Sequence, residues 1–397
     1  MKRVAISTVL ILFFITIGTV VAILYAKGYR FLPQNGKGMI EGTGLLVLTS
    51  KPDGAKVLVN NHFTTATNNT INLQPGNYDV KIQKDGYFTW EKTIIIKKET
   101  VSEANALLFP VAPKLEAVTT TGAENPIMDT TGTLLAYTVS SASATKNGVY
   151  VIDMSARPLI PFGSASVQIA NDVADTMSKA KLTFSSDGKE LLATLPTSTY
   201  LLSTSGLNTT PRDVTATIIQ LQREWSAEIL DKNKKILDSY PKELKLFGQK
   251  SFRDFLPSPE GDKILYTASN SATLALIKKE RVPGANSTPE IRSVKEGNIY
   301  VYDLKEDKNY LLFDRSDLKA NQASPTFLWL ASSRHLVFAQ NGKINVVEYD
   351  GQNLTTIYAG PFLNSFAFPW PDGSSIAIIT QFNNATVPYN IYRIGLQ

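Results

Sequence analysis

The chain opens on an unbroken apolar run. Val4 to Ala26 is 23 residues without a charge, mostly Val, Ile, Leu, Phe and Thr. Wound as a helix it would extend about 34 Å, enough for a hydrocarbon core of ~30 Å. No polar face interrupts the run, which argues against an amphipathic core helix. It is longer than the apolar part of a secretory signal, and Ala22-Ile23-Leu24-Tyr25-Ala26-Lys27 makes a poor small-x-small cleavage site. Residues 1–27 are therefore expected to form an uncleaved transmembrane helix. Lys2 and Arg3 precede it; Lys27, Arg30 and Lys37 follow it. Charge thus sets the orientation weakly, and a cytoplasmic N-terminus with everything after residue 27 extracytoplasmic is the expected arrangement.

From residue 28 to 44 the chain is rich in glycine: Gly36, Gly38, Gly42 and Gly44. The spacing is not G-x-G-x-x-G, and a strand pattern follows where a phosphate loop needs a helix N-terminus. The segment is expected to be a juxtamembrane linker. Beyond it the periodicity becomes that of strands. Leu45 to Leu48 leads into Lys51-Pro52-Asp53-Gly54, where proline presets one turn position and glycine takes a positive φ. Ala55 to Val59 alternates, Asn60-Asn61 turns, and Tyr78 to Ile82 alternates again. Asp85-Gly86 then turns the chain into Tyr87 to Lys97, with Trp90, Ile94 and Ile96 in period two.

Three of these turn motifs form a set: Pro52-Asp53-Gly54-Ala55, Leu73-Gln74-Pro75-Gly76-Asn77-Tyr78 and Asp85-Gly86-Tyr87. Residues 45–109 resemble on this basis the PEGA domain, an exported β-sandwich-like module. Asp53 stands where the family carries glutamate, and Asn61 where a turn glycine is common; both suit turn geometry. The resemblance implies a cell-surface setting and no particular ligand or activity. Tyr78, Tyr87 and Trp90 have two readings: a stacking platform for a sugar, or ordinary core and edge packing of a small domain. His62, beside the Asn-Asn turn, is expected to be an exposed loop residue with no metal partner.

After Pro110 and Pro113 a longer repeat begins. A turn with an acid and a glycine is followed by an apolar strand and then an aromatic strand. The turns are Asp129 to Gly132, Ser185-Ser186-Asp187-Gly188, Pro257-Ser258-Pro259-Glu260-Gly261 and Pro369-Trp370-Pro371-Asp372-Gly373. A degenerate copy, Trp329-Leu330-Ala331-Ser332-Ser333, lacks the glycine. Such repetition marks a propeller or solenoid, each unit burying its face on the next. The turn chemistry resembles TolB-like, WD-type propellers. Residues 110–397 are read as such a propeller, with five blades, or six if the insertions hide one. Lys114 to Thr120 is placed to complete the last blade, whose final strand near Tyr389 to Leu396 lacks an outer partner. The expected class is all-β: transmembrane helix, small PEGA-like sandwich, then propeller with one helical insertion.

That insertion spans residues 213–247. Ile218, Leu221, Trp225, Ile229, Leu230, Ile236 and Leu237 recur at helical spacing, and Pro241 punctuates them. The apolar stripe either packs on the propeller or, through Trp225 and Ile229, docks a partner or a membrane surface.

Composition narrows the chemistry. The chain has 397 residues, 43% hydrophobic and only 19% charged, a balance that suits strands and turns. With no cysteine, disulfides, thiolate metal sites and cysteine nucleophiles are all excluded. Net charge is +5 without a dense basic stripe, so nucleic acid is not an expected partner. Asp129, Asp187, Glu260 and Asp372 occupy equivalent turns and are read as caps for backbone N–H groups; Asp153 and Asp303 end equivalent strands and are read likewise. No G-x-S-x-G, H-E-x-x-H or Walker motif occurs, and His335 sits in the degenerate turn. No catalytic, cofactor or metal residue is assigned. The expectation is a membrane-anchored, non-catalytic binding or scaffolding protein, with an envelope protein or glycan as partner. Two rivals remain: a glycan hydrolase or lyase using two channel carboxylates, and an accessory subunit of a membrane complex docked through 213–247.

Overall fold

A computed structural model of the chain describes all residues except 1, 27–28, 35–36, 142, 156–165, 174, 281, 320–321, 364–365 and 383–387; side chains of 2–9, 26, 30–34 and 37–41 are also outside the description. The backbone divides into two units. One runs to Leu108 and also takes in Lys278–Pro289; the other comprises Phe109–Ile277 and Glu290–Gln397.

The first unit starts with helix α1 (Lys2–Ala26). Its described side chains run from Leu10 to Tyr25. Among the described residues no helix is long and apolar enough to cross a membrane. The single-pass anchor expected from the apolar run, and the cell-membrane localisation and topology built on it, are corrected accordingly.

The glycine-rich stretch after α1 is also not a plain linker. Strands β1 (Tyr29–Gln34) and β2 (Lys37–Gly42) pair antiparallel, with Tyr29 opposite Gly42 and Gln34 opposite Lys37. An Asn-Gly dipeptide between two short runs is a strong hairpin signal.

Seven strands follow: β3 (Gly44–Lys51), β4 (Lys56–Val59), β5 (His62–Ala66), β6 (Asn69–Leu73), β7 (Gly76–Gln83), β8 (Trp90–Ile96) and β9 (Val101–Leu107). They make two sheets, ordered β6-β3-β9 and β5-β4-β7-β8. Asn60 and Asn61 take φ of 49° and 63°, the left-handed pair that joins Val59 directly to His62 in a two-residue hairpin. Period-two alternation then sends one face of each sheet inward. Leu46, Leu48, Ala104 and Ala106 from one sheet meet Val57, Val80, Ile82, Trp90, Ile94 and Ile96 from the other. His62 is exposed at the start of β5.

Among the described residues the second unit contains five four-stranded antiparallel sheets. It begins with β10 (Leu115–Ala117). Blade one is β11 (Glu124–Met128), β12 (Leu134–Val139), β13 (Gly148–Asp153) and β14 (Ser166–Asn171). Blade two is β15 (Lys181–Phe184), β16 (Glu190–Thr194), β17 (Thr199–Ser203) and β18 (Arg212–Asp213). Helices α2 (Ile218–Asp238) and α3 (Lys242–Ser251) come next, with Pro241 at the N-cap of α3. Blade three is β19 (Phe252–Pro257), β20 (Lys263–Ala268), and, after the short pair β21 (Ala272–Thr273) and β22 (Ser293–Val294), β23 (Ile299–Asp303) and β24 (Lys308–Phe313). Blade four is β25 (Leu328–Trp329), β26 (His335–Gln340), β27 (Lys343–Glu348) and β28 (Thr355–Tyr358). Blade five is β29 (Ala367–Pro369), β30 (Ser375–Thr380) and β31 (Asn390–Gly395), with β10 as its fourth, outer strand.

The second strand of each blade is buried on both faces along most of its length, as in β12 and β30. Cores lie between successive sheets: Ala136, Val149 and Val151 of blade one meet Leu182, Leu191 and Leu202 of blade two, while Leu135 and Tyr137 meet Ala377 and Ile379 of blade five. Ring closure follows the expected clasp. Leu115 stands opposite Ile394, and Ala117 opposite Tyr392. The Asn390 side-chain oxygen accepts from Gly122 N and Thr119 Oγ1, both at 3.0 Å, and Thr119 Oγ1 in turn accepts from Ile391 N at 2.9 Å.

Candidate functional site

Five turns of one kind connect the first and second strands of the blades. In each, the residue at the glycine position donates its N–H to a carbonyl three residues back: Gly132 to Asp129, Gly188 to Ser185, Gly261 to Ser258, Ser333 to Leu330 and Gly373 to Trp370. The φ values are 72°, 73°, 70°, 55° and 71° in that order. Four blades use glycine because an L side chain is strained there; blade four places Ser333 in the same conformation.

Three acids of these turns, Asp129, Asp187 and Asp372, behave as caps, and so do Asp153 and Asp303 at their strand ends; Glu260 takes part through its backbone N–H, which donates to Ser333 Oγ. Asp129 accepts from Thr131 N at 3.1 Å and from Thr133 N and Leu134 N at 2.8 Å. Asp187 accepts from Lys189 N at 3.1 Å, Asp372 from Ser374 N at 2.8 Å, Asp153 from Ser155 N at 2.9 Å and Asp303 from Glu306 N at 2.8 Å. Backbone donation holds the Asp187 carboxyl below the usual carboxylate range.

Four of the turns, with the strand ends feeding them, surround a pocket of about 440 Å³. Its walls come from the first strands of blades one, three, four and five: Met128, Leu256, Pro257, Leu328, Trp329, Phe368 and Pro369, joined by Pro259, Ala331 and Pro371 from the turns. Because first strands from four blades converge on it, the pocket is the mouth of the propeller channel. The prolines fit this position physically. A first strand has a free edge, so a missing N–H removes no ladder bond there.

The polar groups of the mouth are already engaged. Trp329 Nε1 donates to the Leu256 carbonyl at 3.1 Å, and Thr130 Oγ1 donates to the Ser186 carbonyl at 3.0 Å. Asp129 is the one acid in the lining, 7% exposed and saturated by its own turn. What the mouth offers is proline, aromatic and aliphatic surface. Two-carboxylate hydrolysis has no pair to work with in this pocket, and among the described residues no group of three or more His, Asp or Glu is placed to hold a metal ion.

Blade two meets the mouth through Ser186, which α2 also holds. Lys232 Nζ donates to the Ser186 carbonyl at 2.7 Å, the same oxygen that Thr130 uses, and Ser186 Oγ bonds Glu228. Trp225, on the same helical face, is buried against Leu192, Leu201 and Val214, with Ile218 and Leu221 beside it. That face is the packing stripe. Another side of α2 exposes Ile219 and Leu230, at 64% and 69%, while Ile229, one turn after Trp225, is 39% exposed at the end of the packing stripe.

The aromatic trio of the first unit is arranged for packing. Trp90 is 4% exposed inside the sandwich core, and Tyr78 and Tyr87 lie half-buried against that core. Tyr78 donates its hydroxyl to the Gln74 carbonyl at 3.0 Å.

A buried charge network lies on blade three. Lys263 Nζ stands 2.8 Å from Asp262 and 3.9 Å from Asp303, over the Tyr349 ring at 4.8 Å. Burial works against ionisation of Asp262, but Lys263 and Lys305 outweigh it and bring the carboxyl down to about 2. Burial pushes Asp303 up instead. Arg292 bridges Glu290 at 2.8 Å and Asp307 at 3.0 Å.

The channel-mouth residues Leu256, Trp329 and Phe368 were not singled out by sequence reasoning. The available signal was the Pro-x-Pro frame shared by two repeats, Pro257-Ser258-Pro259 and Pro369-Trp370-Pro371.

Comparison with known proteins agrees with the first unit. Residues 43–111 match the PEGA domain family. No curated protein matches the chain in sequence. Similar solved structures include TolB from Acinetobacter baumannii, 12% identical over 90% of this chain and 64% of that one, with a TM-score of 0.22. The TolB candidate of Agrobacterium tumefaciens is 14% identical over 68% of this chain and 78% of its own, TM-score 0.22. The AfRom2 CNH domain is 10% identical over 72% of this chain and all of its own, TM-score 0.28. The chain thus combines a PEGA domain with a five-bladed propeller, the latter defined by its own strand pairing.

Proposed function

We propose that this chain is a non-catalytic binding or scaffolding protein of the cell envelope, and that the turn-side mouth of the propeller is its binding surface. The observation that carries the reading is the lining of that mouth: ten apolar side chains drawn from four blades, with its single acid closed off. Such a surface suits apolar side chains of a protein partner, which need desolvation and fit more than hydrogen bonding. The PEGA match supports the envelope setting. The sandwich serves as spacer or envelope contact, and the exposed residues Ile219, Ile229 and Leu230 extend the docking surface along α2. A glycan partner is the weaker alternative, because Trp90 is spent in the core.

The test is photo-crosslinking of the full-length chain in envelope extracts, with the crosslinker at Leu256 or, as a control, at exposed Leu354. Capture of a defined protein from Leu256 alone, abolished by Leu328→Glu, is expected. Capture that is equal from both positions would sink the reading.

A further inference from the structure

Strands β8 and β9 are edge strands, each at the end of its own sheet. An open edge of this kind recruits further strands unless something blocks it. Here the hazard is specific. β8 ends in Thr93-Ile94-Ile95-Ile96, four β-branched residues with neither proline nor charge. Ile95 is 42% exposed, so its surroundings do not hide it.

What meets this edge comes from far along the chain. Lys278–Pro289, lying between β21 and β22, belongs to the first unit. Ser287 Oγ accepts the Ile95 N–H at 2.8 Å. Ser102 Oγ, from β9, donates to the Ile95 carbonyl at 3.4 Å. Both main-chain groups that Ile95 turns outward are therefore met by serine hydroxyls, which end a ladder where another strand would continue it. Three residues before Ser287, Gly284 sits at φ +71° with its Cα against β9; a Cβ there would lie 1.9 Å from the Val101 carbonyl. Only glycine permits that approach, for reasons of both space and φ. Asn286 holds the local bend by accepting from Thr288 N at 3.0 Å, and Thr288 is itself buried.

We propose that Lys278–Pro289 is an edge guard for the PEGA unit: docked through Gly284 and Ser287, it keeps β8 from pairing with β8 of a second copy of this chain. The guard acts by occupying the Ile95 N–H donor, with Ser102 of β9 already on the Ile95 carbonyl, without offering a new strand edge.

The experiment uses the full-length chain with Gly284→Val, which cannot make the approach to Val101, and Ser287→Ala, which removes the acceptor and leaves the backbone free. Hydrogen exchange over residues 90–107 and oligomeric state by light scattering are read on each. Gly284→Val is expected to speed exchange of the Ile95 amide by tenfold or more at low concentration, and to give dimers at high concentration in which that amide is protected again. Ser287→Ala is expected to speed the same exchange severalfold. Should Gly284→Val not fold, the Ser287→Ala exchange decides. An Ile95 amide indifferent to both changes, or a freed edge that stays monomeric at high concentration, overturns the proposal.

Discussion

Ser333 Oγ accepts a 2.9 Å hydrogen bond from the backbone N–H of Glu260, tying the turn of blade four to that of blade three. Ser333 is fully buried and sits at φ 55°, in the glycine slot of the repeat. The degenerate copy has thus exchanged conformational ease for a link between blades. Ser333→Ala keeps the strained φ and leaves the Glu260 donor without this acceptor, so it should cost about 1 kcal/mol. Ser333→Val, β-branched at positive φ in a buried turn, should cost about 2–3 kcal/mol. Thermal denaturation of the two variants should show that order; a Val variant as stable as the Ala variant would contradict it.

Lys263 supports two buried carboxylates at once. Lys263→Met leaves Asp262 and Asp303 without their shared cation, and a loss of about 3–5 kcal/mol is expected. The pH dependence has a sign. Asp262 has a folded value of about 2, depressed below its unfolded one, so its contribution is full above pH ~4 and is lost as pH falls from ~4 towards 2. Asp303, raised by burial, acts the other way: its cost above its unfolded value is relieved as acid protonates it. Acid titration of stability should therefore show a weakened Asp262 limb in Lys263→Met, with Lys305 alone still paired to it at 3.0 Å. An unchanged profile below pH ~4 would refute this.

Asn390 closes the ring through one side chain. Asn390→Ala removes the acceptor of both Gly122 N and Thr119 Oγ1 at a 4% exposed position. The expected cost is about 2–3 kcal/mol, and amide exchange should rise first in β10 and β31. Faster exchange elsewhere in the propeller with a quiet clasp would count against this assignment.

Trp225 fastens α2 to blade two. Trp225→Ala should cost about 3 kcal/mol and make 213–247 the first site of limited proteolysis. Leu230→Asp, on the exposed side at 69%, should leave stability within about 0.5 kcal/mol. If the two variants are equally protease-resistant, the packing role of Trp225 is wrong.

The strand periodicity carried most of the fold. Alternation in Tyr78 to Ile82, the Asn60-Asn61 turn and the recurring Asp-Gly turns each report local sterics, and local sterics is what one sequence displays. The clasp was readable too, since an unpaired last strand and a spare first one complete each other. The pairing of β1 with β2 is harder to read, because a glycine-rich stretch has the same composition whether it is a linker or a hairpin. The channel mouth was harder to read. Met128, Leu256, Trp329 and Phe368 lie up to 240 residues apart, and only ring closure brings them together. Trp90 and Trp225 were ambiguous for a related reason: an aromatic reads the same in sequence whether its ring faces a ligand or a core.

Because β10 must wait for β31, the propeller cannot become a closed ring while its final strand is still unmade. On a ribosome, every earlier blade would stand assembled but unsealed until the residues around 390 to 395 emerge. Deleting even that short stretch would deprive blade five of its middle, leaving the ring unable to lock.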